Sequence, residues 1–285
     1  MELIQAAVLG IVQGLTEFLP ISSSGHLRIV PALLGWEDPG AAFTAVIQLG
    51  TMAAVLLYFR ADLWRIATTW LRSLRDPALR SELDARMGWY LIVATVPIVI
   101  FGVAFADQIE TGARDLRLIG TMLIVMGVVL YVADRTGREN RELESLRTPD
   151  GITIGLAQSL ALIPGVSRSG ATITAGLLRG FTRESAARFS FLLSIPAVVL
   201  SGIYELKDIG TGTYGVGPTI VATVLAFITG YAAIAWLLRY LVDHSLTVFV
   251  VYRVVLGILV LTLVAAGTVE ANQPALGEYL GTVSP

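Results

Sequence analysis

Cysteine is absent from this chain of 285 residues, which excludes disulfides, thiolate metal sites and thiol nucleophiles and leaves the redox compartment unread. Charge is scarce too. Only 15% of residues are charged against 55% hydrophobic, with a mean hydropathy of +0.73, a balance that an ordinary soluble domain does not keep. The net charge of −2 is too small to draw a nucleic acid, so no nucleic-acid partner is expected. The opening Met-Glu-Leu offers neither a basic stretch nor a small-residue cleavage site, so the first apolar segment is expected to stay in the mature protein.

What the chain does have is length without charge. Stretches 41–59, 89–106 and 218–238 hold no charged residue over about the span of a bilayer core. Six transmembrane helices are expected, at 41–59, 89–106, 117–133, 186–204, 218–240 and 247–267. Arg60, Arg65, Arg72, Arg75, Arg80 and Arg86 fill one connector, and Arg135, Arg138, Arg141 and Arg147 fill another; both are therefore expected on the cytoplasmic side. The connectors near Asp107, Glu110 and Asp115, and from Glu205 to Asp208, are acidic and fall outside on the same count.

Two apolar segments, 2–19 and 151–163, are each followed by a Pro/Ser/Gly-rich break and a short apolar stretch, the pattern of a hairpin that enters the membrane and returns. A shift of 145 positions superposes Gly10 on Gly155, Gln13 on Gln158, Leu15 on Leu160, Ser22 on Ser167, Ser24 on Ser169, Gly25 on Gly170 and Gly35 on Gly180. Counting spans from the basic connectors puts the first hairpin's entry outside and the second's inside. The fold class expected is all-α: a single integral membrane domain over 1–285, with six transmembrane helices, two re-entrant helix-loop-helix hairpins and inverted repeats at about 1–133 and 151–267.

The breaks carry the polar chemistry. In the first, Gln13 and Glu17 stand four apart and share a helix face, followed by Ser22, Ser23, Ser24, Gly25 and His26. An acid inside an apolar segment points to function, with an ion pair bracing two helices as the plainer alternative. Hydroxyls and backbone N–H groups at a helix start hold phosphates, and they also make ordinary caps. His26, one of two histidines, is placed to move a proton; His244 sits in an interfacial loop and is given no role. The second break reads Ser167-Arg168-Ser169-Gly170-Ala171-Thr172. A guanidinium there suits phosphate oxygens, or else neutralises Glu17. A carboxylate, hydroxyls, an imidazole and an arginine together fit a polyphosphate group better than a sugar or a fatty ester.

With these residues in view the chain resembles the bacitracin-resistance-type undecaprenyl-diphosphate phosphatases of bacterial inner membranes. One signature of that family matches Gln13 and Glu17 and runs from Phe18 to His26; the other matches Pro164-Gly165-Val166-Ser167-Arg168-Ser169-Gly170-Ala171-Thr172. The resemblance covers nearly the whole chain. It implies hydrolysis of undecaprenyl diphosphate to the carrier monophosphate used in peptidoglycan synthesis, bacitracin resistance, a site open to the outer face, and a divalent cation, Mg²⁺ or Ca²⁺, with Glu17 as metal ligand. Many relatives have Glu where this chain has Gln13, so Glu17 is expected to carry more of the metal ligation. The catalytic set expected is Glu17, Ser23 as nucleophile, His26 as general base and Arg168 as stabiliser of equatorial charge. Gln13, Ser22, Ser24, Gly25, Ser167, Ser169, Gly170 and Thr172 are expected to hold the substrate, and attack by activated water stays open as the alternative to Ser23. The partners expected are the lipid substrate and the surrounding membrane lipids, with a homodimer as an admissible assembly. A lipid transporter or flippase is the competing class, since inverted repeats with broken helices also serve alternating access. A phosphatidic-acid-type phosphatase ranks below it, because no histidine follows Arg168 until His244.

Overall fold

The computed structural model describes residues 2–105, 115–205 and 214–272, and among these every regular element is helical. Eleven α-helices follow in order: α1 (Glu2–Phe18), α2 (Ser23–Leu34), α3 (Gly40–Tyr58), α4 (Arg60–Ser73), α5 (Leu83–Ala104), α6 (Leu116–Thr136), α7 (Thr148–Ser159), α8 (Arg168–Leu178), α9 (Arg183–Glu205), α10 (Val216–Asp243) and α11 (Thr247–Ala265). Four of them, α5, α6, α10 and α11, are each long and apolar enough to cross a membrane. The pair Ala42–Tyr58 and Arg60–Ser73, bent by 73°, makes a fifth if taken as one broken span. Their lipid-compatible faces turn outward: Val103 and Val216 are each 77% exposed, with Ile100, Val128, Ile220, Val251 and Val255 also exposed. Apolar surface on this scale is a liability in water and ordinary in a bilayer.

The remaining segment expected to span, 186–204, lies within α9, a helix of 23 residues. Phe189, Phe191, Leu192, Leu193 and Ile195 are buried along it, and so are Ser185, Ser190 and Ser194. A helix enclosed by protein rather than lipid can carry hydroxyls, provided they find partners. The acidic connectors expected at Asp107 and Glu110 and at 206–208 lie outside the described residues.

The two broken segments form helical hairpins with the same local design. α1 stops at Phe18 because Pro20 disfavours helical backbone at the residue before it and brings no N–H. α2 restarts after Ser22, whose backbone sits at φ 75° and whose hydroxyl accepts the Gly25 N–H. In the second hairpin Ser167 sits at φ 73°, and its hydroxyl accepts the Gly170 N–H at the start of α8. A non-glycine residue held at positive φ costs of order 1 kcal/mol and persists only where neighbours fix it.

Each hairpin lies against a helix from the other half of the chain. Gly10 and Gly14 on α1 press on Ala222, Ala226 and Gly230 of α10; a Cβ at Gly10 would stand 2.7 Å from the Ala222 Cα. Gly151 and Gly155 on α7 press on Tyr90 and Ala94 of α5, where a Cβ at Gly155 would stand 2.5 Å from the Ala94 Cα. Small residues four apart let backbones approach in lipid, where no hydrophobic force drives helices together.

Both arginine-rich connectors gather at one end of the bundle. Arg86 Nη2 donates to the Glu144 carbonyl at 3.4 Å, and Arg188 joins Asp62 at 2.7 Å. Asp134 holds Arg183 at 2.6 Å, and the fully buried Asp150 side chain holds Arg141 and Arg179 at 2.7 Å each. Elsewhere in the molecule Phe43 packs edge-on against Tyr214, and the Leu116 N–H donates to the Ala271 carbonyl.

Candidate active site

The two breaks meet. Glu17, on the last turn of α1, accepts from Ser23 Oγ at 2.6 Å and from Gln13 Nε2 at 3.2 Å through Oε2, and from Arg168 Nη2 at 2.5 Å through Oε1. Ser23 opens α2 and Arg168 opens α8, so one carboxylate is shared between the first residues of two helices. Ser169 Oγ donates to the Leu19 carbonyl at 2.9 Å and closes the seam. Under the shift of 145 positions Ser23 corresponds to Arg168. One hairpin thus contributes the hydroxyl and the other, at the same place in its turn, the guanidinium.

Access separates the roles of the expected residues. Ser24 is exposed and Ser23 and Arg168 are half-buried, whereas Ser22, Ser167, Ser169 and Gly170 are buried. Ser22 and Ser167 spend their hydroxyls on caps and on Ser24 and Ser169, at 3.3 and 3.1 Å. These buried serines shape the turns; Ser23, Ser24 and Arg168 form the reachable surface. Thr172, expected to hold substrate, turns elsewhere: it is buried between α8 and α9, bonded to Ser190 Oγ at 2.6 Å and to the Arg168 carbonyl at 2.8 Å. As a helical threonine it reaches back one turn, which fixes Arg168 from behind.

His26 departs from the expected role as base for Ser23. Its Nδ1 meets the Ser22 carbonyl at 2.7 Å and its Nε2 meets the Tyr252 hydroxyl at 2.7 Å, with the side chain buried. A carbonyl only accepts, so Nδ1 carries the proton, and in the neutral ring Nε2 accepts from Tyr252. Both nitrogens are occupied. The group that does accept from Ser23 is Glu17. His26 instead holds the carbonyl of the strained Ser22 and stacks on Tyr252 with ring centroids 5.5 Å apart.

Sequence reasoning missed Tyr252, Ser194, whose carbonyl takes Arg168 Nη1 at 3.4 Å, and above all Arg253. Arg253 is fully buried in an otherwise apolar helix. A charge inside such a segment is itself the signal.

A divalent cation finds donors here of a particular kind. Gln13 Oε1 is buried beside the Glu17 carboxylate and has no hydrogen-bond partner among the described residues, so its oxygen could serve a hard cation. Among the described residues no three His, Asp or Glu side chains group to cage an ion. The donor set suits an ion that completes its shell with substrate phosphate and water, as Mg²⁺ does.

Comparison with known proteins finds relatives along nearly the whole chain. Residues 6–259 match the family model described as "Bacitracin resistance protein BacA". The chain is 60% identical to the "Undecaprenyl-diphosphatase" of a Nocardioides species over 95% of this chain and 99% of that one. It is 58% identical to the protein of the same name from Thermobifida fusca, over 100% and 97% of the two chains. With that from Streptomyces griseus it shares 55% identity over 99% and 100%.

Proposed function

The chain belongs to the bacitracin resistance protein BacA family, and on that footing we propose that it hydrolyses undecaprenyl diphosphate to undecaprenyl phosphate and inorganic phosphate. The product returns to peptidoglycan synthesis as carrier lipid, and loss of the diphosphate deprives bacitracin of its target. The observation that carries the chemistry is the 2.6 Å contact between Ser23 Oγ and a carboxylate whose other oxygen meets Arg168.

Glu17 takes the Ser23 proton as Oγ attacks the terminal phosphorus. The bond from that phosphorus to the bridging oxygen breaks, and the lipid monophosphate leaves with the bridging oxygen's electrons. Glu17 returns that proton to the departing monophosphate, then takes one from the water that attacks the phosphoseryl phosphorus and passes it to Ser23 Oγ as the ester bond breaks and inorganic phosphate is released. Arg168 and the first-turn N–H groups of α2 and α8 stabilise the equatorial oxygens, the task helix starts and guanidinium forks perform on phosphates. A divalent cation, Mg²⁺ or Ca²⁺, would be held by Glu17 and Gln13 Oε1 and would neutralise diphosphate charge. In the second reading Glu17 deprotonates water directly and Ser23 only binds; a trapped phosphoseryl peptide separates the two.

The architecture fits six spans and two re-entrant hairpins in inverted halves, in a bacterial inner membrane. Two features support this: the matched positive-φ serines at 22 and 167, and the exchange of hairpins between halves. The gathering of both arginine-rich connectors at one end favours that end as cytoplasmic, with the diphosphate entering from the outer face.

The test is phosphate release from undecaprenyl diphosphate by purified protein in detergent, with and without chelator. Release that stops on chelation and returns with Mg²⁺ or Ca²⁺ is the expected result; a folded protein that releases none overturns the assignment. His26 supplies a sharper check. Removing a proton-transferring base costs about 10²–10⁴-fold, so His26→Ala, losing only a brace, should lower kcat by about tenfold or less. Tyr252→Phe, which removes the partner of Nε2, should show a similar partial loss. A His26→Ala defect as deep as that of Glu17→Gln would restore the imidazole as base.

A further inference from the structure

Arg253 has no place in the reaction as described, yet it donates three hydrogen bonds to the two breaks. Nη1 donates to the Pro20 carbonyl at 3.0 Å in the first break. Nη2 donates to the Gly165 and Val166 carbonyls at 2.9 and 3.0 Å in the second. Nε and Nη2 also reach the Leu123 and Met122 carbonyls of α6 at 3.2 and 3.3 Å. Every one of these partners is main chain, and the side chain is 0% exposed. Burying a guanidinium without a carboxylate beside it is costly, so its placement calls for a cause beyond filling space.

The partners supply the cause. A helix break leaves carbonyls without intrahelical donors, and at membrane depth these need a partner from the protein. A guanidinium has five N–H donors in a rigid fork, enough to serve both breaks at once. Pro20 stands three residues before Ser23, and Val166 two before Arg168. A Cβ at Gly170 would lie 3.1 Å from Arg253 Nη1, so the guanidinium also abuts the first turn of α8. One turn beyond Arg253, Gly257 and Gly120 bring α11 against α6, where a Cβ at Gly257 would stand 2.7 Å from the Gly120 carbonyl oxygen. The position of the fork is therefore set by packing rather than by an ion pair.

We propose that Arg253 is the positioning residue of this enzyme. It ties the two breaks by their carbonyls and thereby sets the separation of the Ser23–Glu17 pair from the Arg168 guanidinium. The inference rests on the phosphoryl-transfer reading above and adds a residue that neither touches substrate nor exchanges a proton. Arg253→Lys is the informative change, since it keeps the charge and loses the fork: three donors on one nitrogen cannot span carbonyls on opposite sides.

The cysteine-free chain allows the geometry to be read directly. Spin labels on cysteines introduced at the exposed Leu34 and Leu178, at the far ends of α2 and α8, report the separation of the hairpins. In Arg253→Lys the label distances are expected to broaden and shift. Because misplacement by about 1 Å costs up to about 10²-fold, kcat should fall at least about thirtyfold, with KM held within about threefold. Unchanged distances with unchanged kcat would make Arg253 a fold-stabilising residue only. A fall in kcat at unchanged distances would make the fork act on the reaction without positioning the hairpins, and altered distances at unchanged kcat would show that the tie does not matter to turnover; each overturns the proposal. Should Arg253→Lys fail to fold, Gly170→Ala crowds the same Nη1 more mildly, and the same outcomes decide. If the wild-type chain releases no phosphate, the functional reading fails, while the distances still tell whether Arg253 ties the breaks.

Discussion

Glu17→Gln is expected to lower kcat for phosphate release by at least about 10³-fold, because the change removes the acceptor of the Ser23 proton seen among the described residues. Gln is the right replacement. Ala would open a cavity and leave Arg168 buried without its partner, a loss of about 3–5 kcal/mol in stability that would confuse folding with chemistry. Gln preserves volume and keeps one accepting oxygen, enough for Ser23 or for Arg168 but not for both, so basicity is lost together with one of the two contacts. Ser23→Ala should fall to the same floor, and the double variant should fall no further, since two groups that act as a unit are strongly non-additive. Measuring kcat on all three decides the matter. A double variant whose loss is the product of the single losses would show that Glu17 and Ser23 act separately, and an active Ser23→Ala enzyme would remove the nucleophile.

Arg168→Ala should cost at least about a hundredfold in kcat, since it removes a donor aimed at charge that develops on the transferring phosphoryl group. Arg168→Lys should recover little of this. The ammonium lacks the planar fork, and Arg168 already divides its nitrogens between Glu17 and the Ser194 carbonyl. The split between parameters is diagnostic: a transition-state contact lowers kcat and kcat/KM together, whereas a simple substrate-binding arginine raises KM alone. Near-normal turnover in Arg168→Ala would reduce the residue to a counter-ion for Glu17.

Much of this centre was legible in the sequence because polar residues are conspicuous in apolar segments. Glu17, Ser23 and Arg168 stood out for that reason, and the shift of 145 positions brought their two breaks into correspondence. Side-chain direction was not legible. His26 lies three residues from Ser23 in sequence, yet its ring turns to Tyr252, 226 positions away, a partner no local pattern reveals. Thr172 could have been read better, since a threonine four residues after Arg168 in a helix tends to bond back to that carbonyl. Arg253 was in plain view within the span at 247–267, and counting that segment only as a membrane crossing hid it. The correspondence of Ser23 with Arg168 escaped for another reason: matching by identity passes over positions where the repeats differ. The exchange of hairpins between halves depends on glycine contacts more than a hundred residues apart for α1 on α10, beyond the reach of any periodicity.

That unequal pair carries a consequence for how such a centre can exist at all. Two identical hairpins facing one another, as in an assembly of separate copies, would offer the same side chain twice: paired hydroxyls with no cation, or paired guanidiniums with nothing to attack. Covalent fusion of the halves frees each turn to be altered alone. Near-symmetry delivers two helix starts to one spot, and in the proposed mechanism a single mismatch there turns a symmetrical cradle for anions into a centre with distinct attacking and stabilising sides.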